Sequence, residues 1–248
     1  MNRNQDMVIE RVKKLVEQSS KIVILLGVGA VIESGGDNLW SSRECYRLED
    51  IYHKTPDEMM SVGFYAARGD KFFEFYKNEI INKDLVPASL YSDIKKMQDK
   101  GKISRIITQN IDDLHNIAGL RDVIELHGNI NNNCCPHCQK TFDLNYMRKA
   151  KNVPLCDNCG AAIKPGIRLF GENMANNLMT DAVNACEDSD LILAIGTNMA
   201  DGMVHFCTES KKGGKLVLIT KEEHYMDKYA DIVIHDTVCS VLPRIFGE

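Results

Sequence analysis

Six short apolar runs recur along this chain, and they restrict its fold more than any other feature. They are KIVILLG (21–27), SRIITQN (104–110), DVIELHG (122–128), DLILAIGT (190–197), KLVLIT (215–220) and DIVIHD (231–236). Each has about strand length. A half-exposed strand alternates polar and apolar residues, whereas a near-continuous apolar run suits a parallel strand covered on both faces. Helical spacing fills the intervals at 70–82, 87–100, 111–118, 176–188, 200–212 and 238–246. An opening amphipathic helix is marked by Val8, Val12, Leu15 and Val16. Such alternation predicts an open α/β parallel sheet with helices on both faces and right-handed crossovers. Ligands of these sheets collect at the carboxyl ends of the strands. The residues to inspect are therefore Gly27–Gly29, Gln109–Asp112, His127–Gly128, Gly196–Asn198 and Thr220–Lys221.

Two stretches break the alternation. Residues 38–86 hold no clear strand and read as a helical excursion. Residues 129–165 carry Pro136, Pro154, Gly160 and Pro165 with little apolar periodicity, so they need something other than a core of their own. That segment also holds Cys135-Pro-His-Cys138 and Cys156-Asp-Asn-Cys159, a CxxC-x17-CxxC pattern. Each CxxC forms a tight turn that aims two thiolates at one ion, and two such turns complete a tetrahedral zinc site. With all four positions filled by protein, Cys135, Cys138, Cys156 and Cys159 predict a structural ion. Cys134 is the competing ligand by a CxxxC spacing, and His137, inside the turn, is expected to be exposed. The other five of the nine cysteines read as small buried hydrophobes.

Composition excludes several function classes. A formal net charge of -5 argues against direct nucleic-acid binding. No apolar stretch approaches the ~20 residues that span a bilayer, and the first residues lack a signal-peptide core. A cytoplasmic protein is the expectation.

The strand ends carry the chemistry. Gly27-Val28-Gly29 follows the first run, where glycines let backbone approach a phosphate. Gln109, Asn110 and Asp112 follow the second, offering donors and acceptors to a ribose or a carboxamide; alone, such residues are more often helix caps. His127 ends the third run beside Gly128, poised for proton transfer near neutral pH, although a lone histidine is usually structural. Gly196, Thr197, Asn198 and Thr220 add short polar groups.

Taken in order, GxG-x4-SG, TQNIDxLH, ELHG, CxxC…CxxC, KPGIRLFGE, GTN and the late Lys228-Tyr-Ala-Asp231 resemble the sirtuin family of NAD-dependent protein deacylases over residues 8–245. The resemblance implies a Rossmann-like NAD-binding domain from 1–37, 87–128 and 166–248. It implies a small domain from the helical module 38–86 and the zinc module 129–165, with an acyl-lysine protein or peptide bound between them. Catalytic roles fall to His127, Asn110 and Asp112, with His127 as general base on a ribose hydroxyl once the acyl oxygen has displaced nicotinamide. Products are nicotinamide, free lysine and O-acyl-ADP-ribose. NAD contacts fall to Gly27, Val28, Gly29, Gly35, Gln109, Asn110, Asp112, Gly196, Thr197, Asn198, Thr220 and Val238. Ile167, Phe170, Gly171 and Glu172 match the strand that pairs with substrate by β-augmentation. The six residues between Gly128 and Cys135 fit the family spacing and favour Cys135 over Cys134.

One element departs from the pattern. The family's GAGISxxSGIPDFR is GVGAVIESGGDNLW here, so Leu39 and Trp40 stand where a ribose-covering Phe and an active-site Arg are usual. Arg168 stands where the substrate strand usually has Val. A Tyr65-x-x-Arg68 pair lies ahead of the position where a pattern for acidic acyl groups is expected. These edits leave open a non-catalytic NAD or ADP-ribose sensor, or an ADP-ribosyltransferase or NAD hydrolase, beside deacylation.

Overall fold

The computed structural model describes residues 3–200 and 202–247. Among the described residues eight strands form: β1 (Ile22–Leu26), β2 (Ile103–Thr108), β3 (Val123–Glu125), β4 (Asn133–Cys134), β5 (Thr141–Phe142), β6 (Leu191–Ile195), β7 (Lys215–Thr220) and β8 (Ile232–His235). Six make one parallel sheet in the order β3-β2-β1-β6-β7-β8, and β4 and β5 form a separate antiparallel pair. All six predicted runs are strands of the parallel sheet.

The two faces of the sheet explain the unbroken apolar runs. Ile22, Ile24 and Leu26 of β1 enter one core with Leu191, Leu193 and Ile195 of β6, while Val23, Leu25, Ile192 and Ala194 enter the other. Three helices cover the first face: α1 (Arg3–Gln18), with Ile9, Val12 and Val16 buried; a helix at Ser89–Asp99; and one at Val238–Phe246. The second face is covered by Asn176–Glu187 and Gly202–Glu209, which supply Ala182, Cys186, Val204 and Cys207. Ser104 and Arg105 are exposed near the start of β2, so only its second half is sandwiched.

A third core lies apart from the sheet. It unites Leu48, Phe72, Phe73, Phe75 and Tyr76 from the helical excursion with Ile130, Cys135, Phe142, Met147 and Ile163 from the cysteine-rich segment and with Ile167 and Leu169 just after it. Short helices build the excursion: α2 (Gly29–Glu33) leads into α3 (Ser42–Tyr52), α4 (Pro56–Met59), α5 (Val62–Ala67) and α6 (Gly69–Tyr76). Serine and threonine stop and restart the chain there. Ser41, Thr55 and Ser61 each accept an N–H three residues on. After α6 the chain widens into a π-type turn at Lys77–Ile81, and Lys77 Nζ donates to the carbonyls of Ala150 and Asn152, joining the two segments. Glu79 accepts from Arg47 (2.6 Å) and Tyr52 (2.9 Å). Tyr65, half-buried, packs edge-on against Phe72 and donates to the Ile163 carbonyl, while Arg68 is exposed, so that pair serves packing.

Candidate functional site

Chain order reverses between β1 and β6, which are neighbours in the sheet. The loops leaving them meet there. Gly27 N–H donates to Ile195 O (2.9 Å) and Gly29 N–H to Gly196 O (2.7 Å). A Cβ on Gly27 would lie 2.5 Å from Gly196 O, and one on Gly29 would lie 2.5 Å from Gly196 Cα. The first need for glycine here is thus internal: two loops touch backbone to backbone. Val28, half-buried and helical, caps α2, and Gly35 (φ 86°) ends it in the left-handed region.

At the end of β2, Thr108 donates to Leu26 O (2.9 Å) and accepts from Asn110 N–H (3.0 Å). The Asn110 side chain then donates to Gly27 O (2.9 Å), tying the second loop to the first. Gln109 lines a narrow cleft with Gly27, Thr108, Leu126, Thr197 and Cys207. Asp112 accepts from Leu114 N–H (2.9 Å) through one oxygen and so starts the short helix Leu114–Ile117. Its other oxygen is buried with no protein donor. Burial pushes the Asp112 carboxyl above its usual range, outweighing the Leu114 N–H. An orphaned, buried carboxylate oxygen is costly, and a ligand N–H supplied at this point removes that cost.

His127 sits half-buried just after β3, with its carbonyl accepting from Arg168 N–H (2.8 Å). Gly128 (φ 73°) lets residues 166–168 pass close, since a Cβ there would sit 2.2 Å from Gly166 O. Fully buried Asn129 donates to Asp113 (2.9 Å) and Glu125 (2.8 Å), and Ile130 N–H donates to Ile111 O (2.9 Å). These ties set the 110–113 turn against 127–130. Asn129 was not singled out from sequence; its position directly after His-Gly is the only cue. The second histidine of TQNIDDLH, His115, is buried against Glu125 (2.7 Å) and has a structural part. Burial alone would raise the Glu125 carboxyl, but hydrogen bonds from His115 and Asn129 leave it lowered.

The remaining strand ends brace themselves. Thr197 accepts from Met199 N–H (3.1 Å) and Asn198 from Ala200 N–H (3.0 Å). Thr220 is buried at the end of β7. Val238 N–H (2.7 Å) and Cys239 N–H (2.8 Å) both donate to Glu33, so a carboxylate of α2 caps the last helix. Sequence reading missed Glu33, which lies 205 residues from its partner. A larger hollow of about 370 Å³ opens at the start of β7, away from these ends, where Lys211 and Lys215 are already paired with Asp231.

The segment matched to substrate pairing is itself partly paired. Phe170 N–H donates to Met60 O (3.0 Å) and Phe170 O accepts from Val62 N–H (2.9 Å). Gly171 (φ 91°) then leaves the bridge in a turn, where Glu172 N–H donates to Leu169 O (3.0 Å) and a Cβ on Gly171 would meet the Val62 side chain at 3.2 Å. Glu172 closes the turn by accepting from Leu169 N–H (2.9 Å) and pairing with Lys164 (3.2 Å). Ile167 is buried, bridged to Gly128, with its carbonyl accepting from Lys164 (3.0 Å).

The loop at 36–40 is fastened to the smaller core. Asp37 pairs with Lys83 (2.7 Å), Asn38 accepts from Trp40 N–H (3.1 Å), and Leu39 is buried in that core. The Trp40 indole donates to Asp57 (2.6 Å) and its ring lies 6.1 Å from that of Phe170. Nothing in the sequence announced this orientation.

The sulfurs of Cys135, Cys138, Cys156 and Cys159 all lie within 4.8 Å of one another, with 3.4 Å between Cys135 and Cys159 and 3.5 Å between Cys138 and Cys156. A tetrahedron with Zn–S of about 2.3 Å has edges of roughly 3.8 Å, so the set fits zinc. Two equivalent turns make it. Cys135 and Cys156 N–H donate to Lys140 O and Ala161 O (2.8 Å each), and Gln139 and Gly160 take positive φ. Cys134 lies outside the cluster, exchanging backbone hydrogen bonds with Lys164, and His137 is exposed.

Residues 10–201 match a family model described as the Sir2 family. An NAD-dependent protein deacetylase of Clostridium acetobutylicum is 36% identical over 242 residues, covering 96% of this chain and 97% of that protein. One from Clostridium tetani is 37% identical over 244 residues, with the same coverage. Among solved structures, one described as "Sir2-p53 peptide-NAD+" superposes with a TM-score of 0.82 at 26% identity, covering 96% of this chain and 97% of the other. Another, "Sir2 bound to acetylated peptide", gives 0.80 at 26% identity with the same coverage.

Proposed function

The chain belongs to the Sir2 family, and we propose that it removes acyl groups from protein lysine with NAD, releasing nicotinamide and O-acyl-ADP-ribose. NAD, when bound, supplies an anomeric carbon with a cationic leaving group, which accepts the acyl oxygen of the lysine. The protein's own part is to hold that ribose dry and oriented and to move protons. The orphaned Asp112 oxygen carries the reading: buried beside the 127–130 segment, it accepts an amide N–H such as that of the nicotinamide carboxamide. Asn110 and Gln109 orient ribose hydroxyls, and an imidazole nitrogen of His127 takes a hydroxyl proton. Gly27, Val28, Gly29, Gly35, Gly196, Thr197, Asn198, Thr220 and Val238 frame the dinucleotide, while Ile167, Phe170, Gly171 and Glu172 hold the peptide. Cys135, Cys138, Cys156 and Cys159 hold a structural zinc that has no open position for chemistry.

The three cores support a division into a sheet domain (1–37, 87–128, 166–248) and a small domain (38–86, 129–165), with Ile167 and Leu169 crossing that boundary to pack in the small core. No described helix is long and apolar enough to cross a membrane, and we place the work of the protein in the cytoplasm. Purified protein given NAD and an acetyl-lysine peptide tests the reading by mass spectrometry. O-acetyl-ADP-ribose formed in step with deacetylated peptide supports it, and no peptide-dependent nicotinamide release overturns it. The fastening of Leu39 and Trp40 to the small domain favours a second reading, a binder without turnover. That reading predicts calorimetric NAD binding in the absence of product.

A further inference from the structure

Trp40 is the chain's one tryptophan, and the structure leaves it and Phe170 each 46% exposed. Two large apolar rings held at a surface need an explanation when their positions are fixed. Here they are. The Trp40 indole is anchored by Asp57 at the start of α4, and the two rings meet at an angle of 53°. The Phe170 backbone is anchored by Met60 and Val62. Val62, 38% exposed, continues the apolar surface over Gly171, where a Cβ would meet only its side chain at 3.2 Å. The patch therefore runs from Trp40 across Phe170 to Val62, alongside the Gly171 edge of the segment assigned to peptide pairing.

We infer that Trp40, with Phe170 and Val62, forms a fixed aromatic shelf that selects acyl-lysine peptides carrying a large apolar side chain close to the modified lysine. This rests on the deacylase reading for the place of the peptide. The shelf adjoins the 167–172 segment, so a peptide held along Phe170 and Gly171 runs beside it. Preorganisation by Asp57 favours binding, because the indole loses little freedom when it is covered. Aromatic side chains gain both apolar burial and ring-ring contact on such a surface. Cofactor stacking is the competing use of the indole. The bond to Asp57 and the contact with Phe170, whose backbone is itself held by Met60 and Val62, fasten the ring against the helical module instead.

A single tryptophan makes the test direct. Acetyl-lysine peptides of otherwise uniform alanine sequence, each with one phenylalanine at one of the two positions on either side of the lysine, are titrated into the full chain. Tryptophan emission and calorimetry are followed in parallel. At one flanking position phenylalanine is expected to bind roughly tenfold more tightly than alanine, with a blue shift of the emission. In turnover assays the same ratio appears in KM and not in kcat. Trp40→Ala collapses the ratio to about one, and Trp40→Phe restores most of it. Calorimetric binding with no change in emission overturns the shelf, as does a ratio that survives Trp40→Ala. An emission change caused by NAD and not by any peptide also overturns it. Selective binding and emission change without turnover defeat the deacylase reading and leave the shelf standing.

Discussion

Around the sheet, alternate residues of β1 and β6 serve two apolar cores, and helices close both faces. The small unit has no such sandwich. Its core is an aromatic cluster from one segment laid against two cysteine turns from another. The division shows where this chain has kept its chemistry and where it has changed. On the sheet side, polar residues work twice: Thr108 ties β2 to β1 and braces Asn110, which ties the second loop to the first, and Asp112 starts a helix with one oxygen while the other waits for a donor. Replacing such residues costs both structure and function. On the small side, Leu39 packs into the aromatic core and Trp40 is held by Asp57 and Phe170, so the rebuilt loop is carried by the small unit and not by the sheet.

Removing the metal is the strongest way to break this contrast. Structural zinc contributes about 10–16 kcal/mol of apparent binding free energy in small modules. Chelation, or Cys156→Ser, should release the small unit while the sheet stays folded. Hydrogen exchange should then rise across 130–169 and 42–81 but not in β1 and β6. Uniform exchange throughout would mean that the two units are one cooperative body.

Changing the chemical centre should do the reverse. His127→Ala is expected to lower deacylation by roughly 10²–10⁴-fold, the usual weight of a general base. Its circular dichroism spectrum should stay that of the wild type, since the backbone hydrogen bond from Arg168 N–H to His127 O survives the substitution. Activity near wild type in that variant removes His127 from the mechanism.

Asp112→Asn sharpens the contrast further by separating stability from binding. The folded-state pKa of Asp112 is raised. The group therefore favours folding below its ordinary carboxylate range and loses that contribution as pH rises through the folded value. At neutral pH the burial of its charge opposes folding. The amide keeps the contact to Leu114 N–H and removes the charge, so stability should rise by about 1 kcal/mol, or roughly 2–4 °C in Tm. Calorimetric NAD affinity should fall in the same variant. A lower Tm would show that the orphaned oxygen is satisfied in solution.

The smallest effect concerns the small unit and acid. Burial raises the Glu79 carboxyl, but hydrogen bonds from Arg47 and Tyr52 outweigh it and leave the pKa lowered. Its contribution is present above the ordinary carboxylate range and disappears as pH falls through the lowered value. Glu79→Gln should flatten the loss of stability on acidification, seen as denaturation midpoints at a series of pH values. An unchanged slope would assign acid sensitivity elsewhere.

Much of the architecture was legible before any coordinates. The apolar runs gave all six parallel strands, because a strand buried on both faces leaves no room for alternation. CxxC spacing gave the four sulfurs, because two tight turns suffice to bring thiolates together. Other features were not legible. Asn110 and Asp112 read as helix caps or as ligand groups; in the structure Asp112 caps locally while Asn110 reaches Gly27 O across the strand ends. The glycines of GVG read as room for a phosphate, yet Gly196, from a loop almost 170 residues away in sequence, already demands them.

What the sequence determined alone is local or periodic: which segments are strands, which cysteines form turns, and which polar residues follow each strand. Those properties depend on near neighbours and on which faces are covered. Tertiary structure decided the rest. It set Glu33 beneath the last helix, left one oxygen of Asp112 without a donor, and turned Trp40 onto Phe170 instead of toward the strand ends. Each of these depends on groups distant in the chain, brought together only when the sheet and the small unit pack, so no local pattern encodes them.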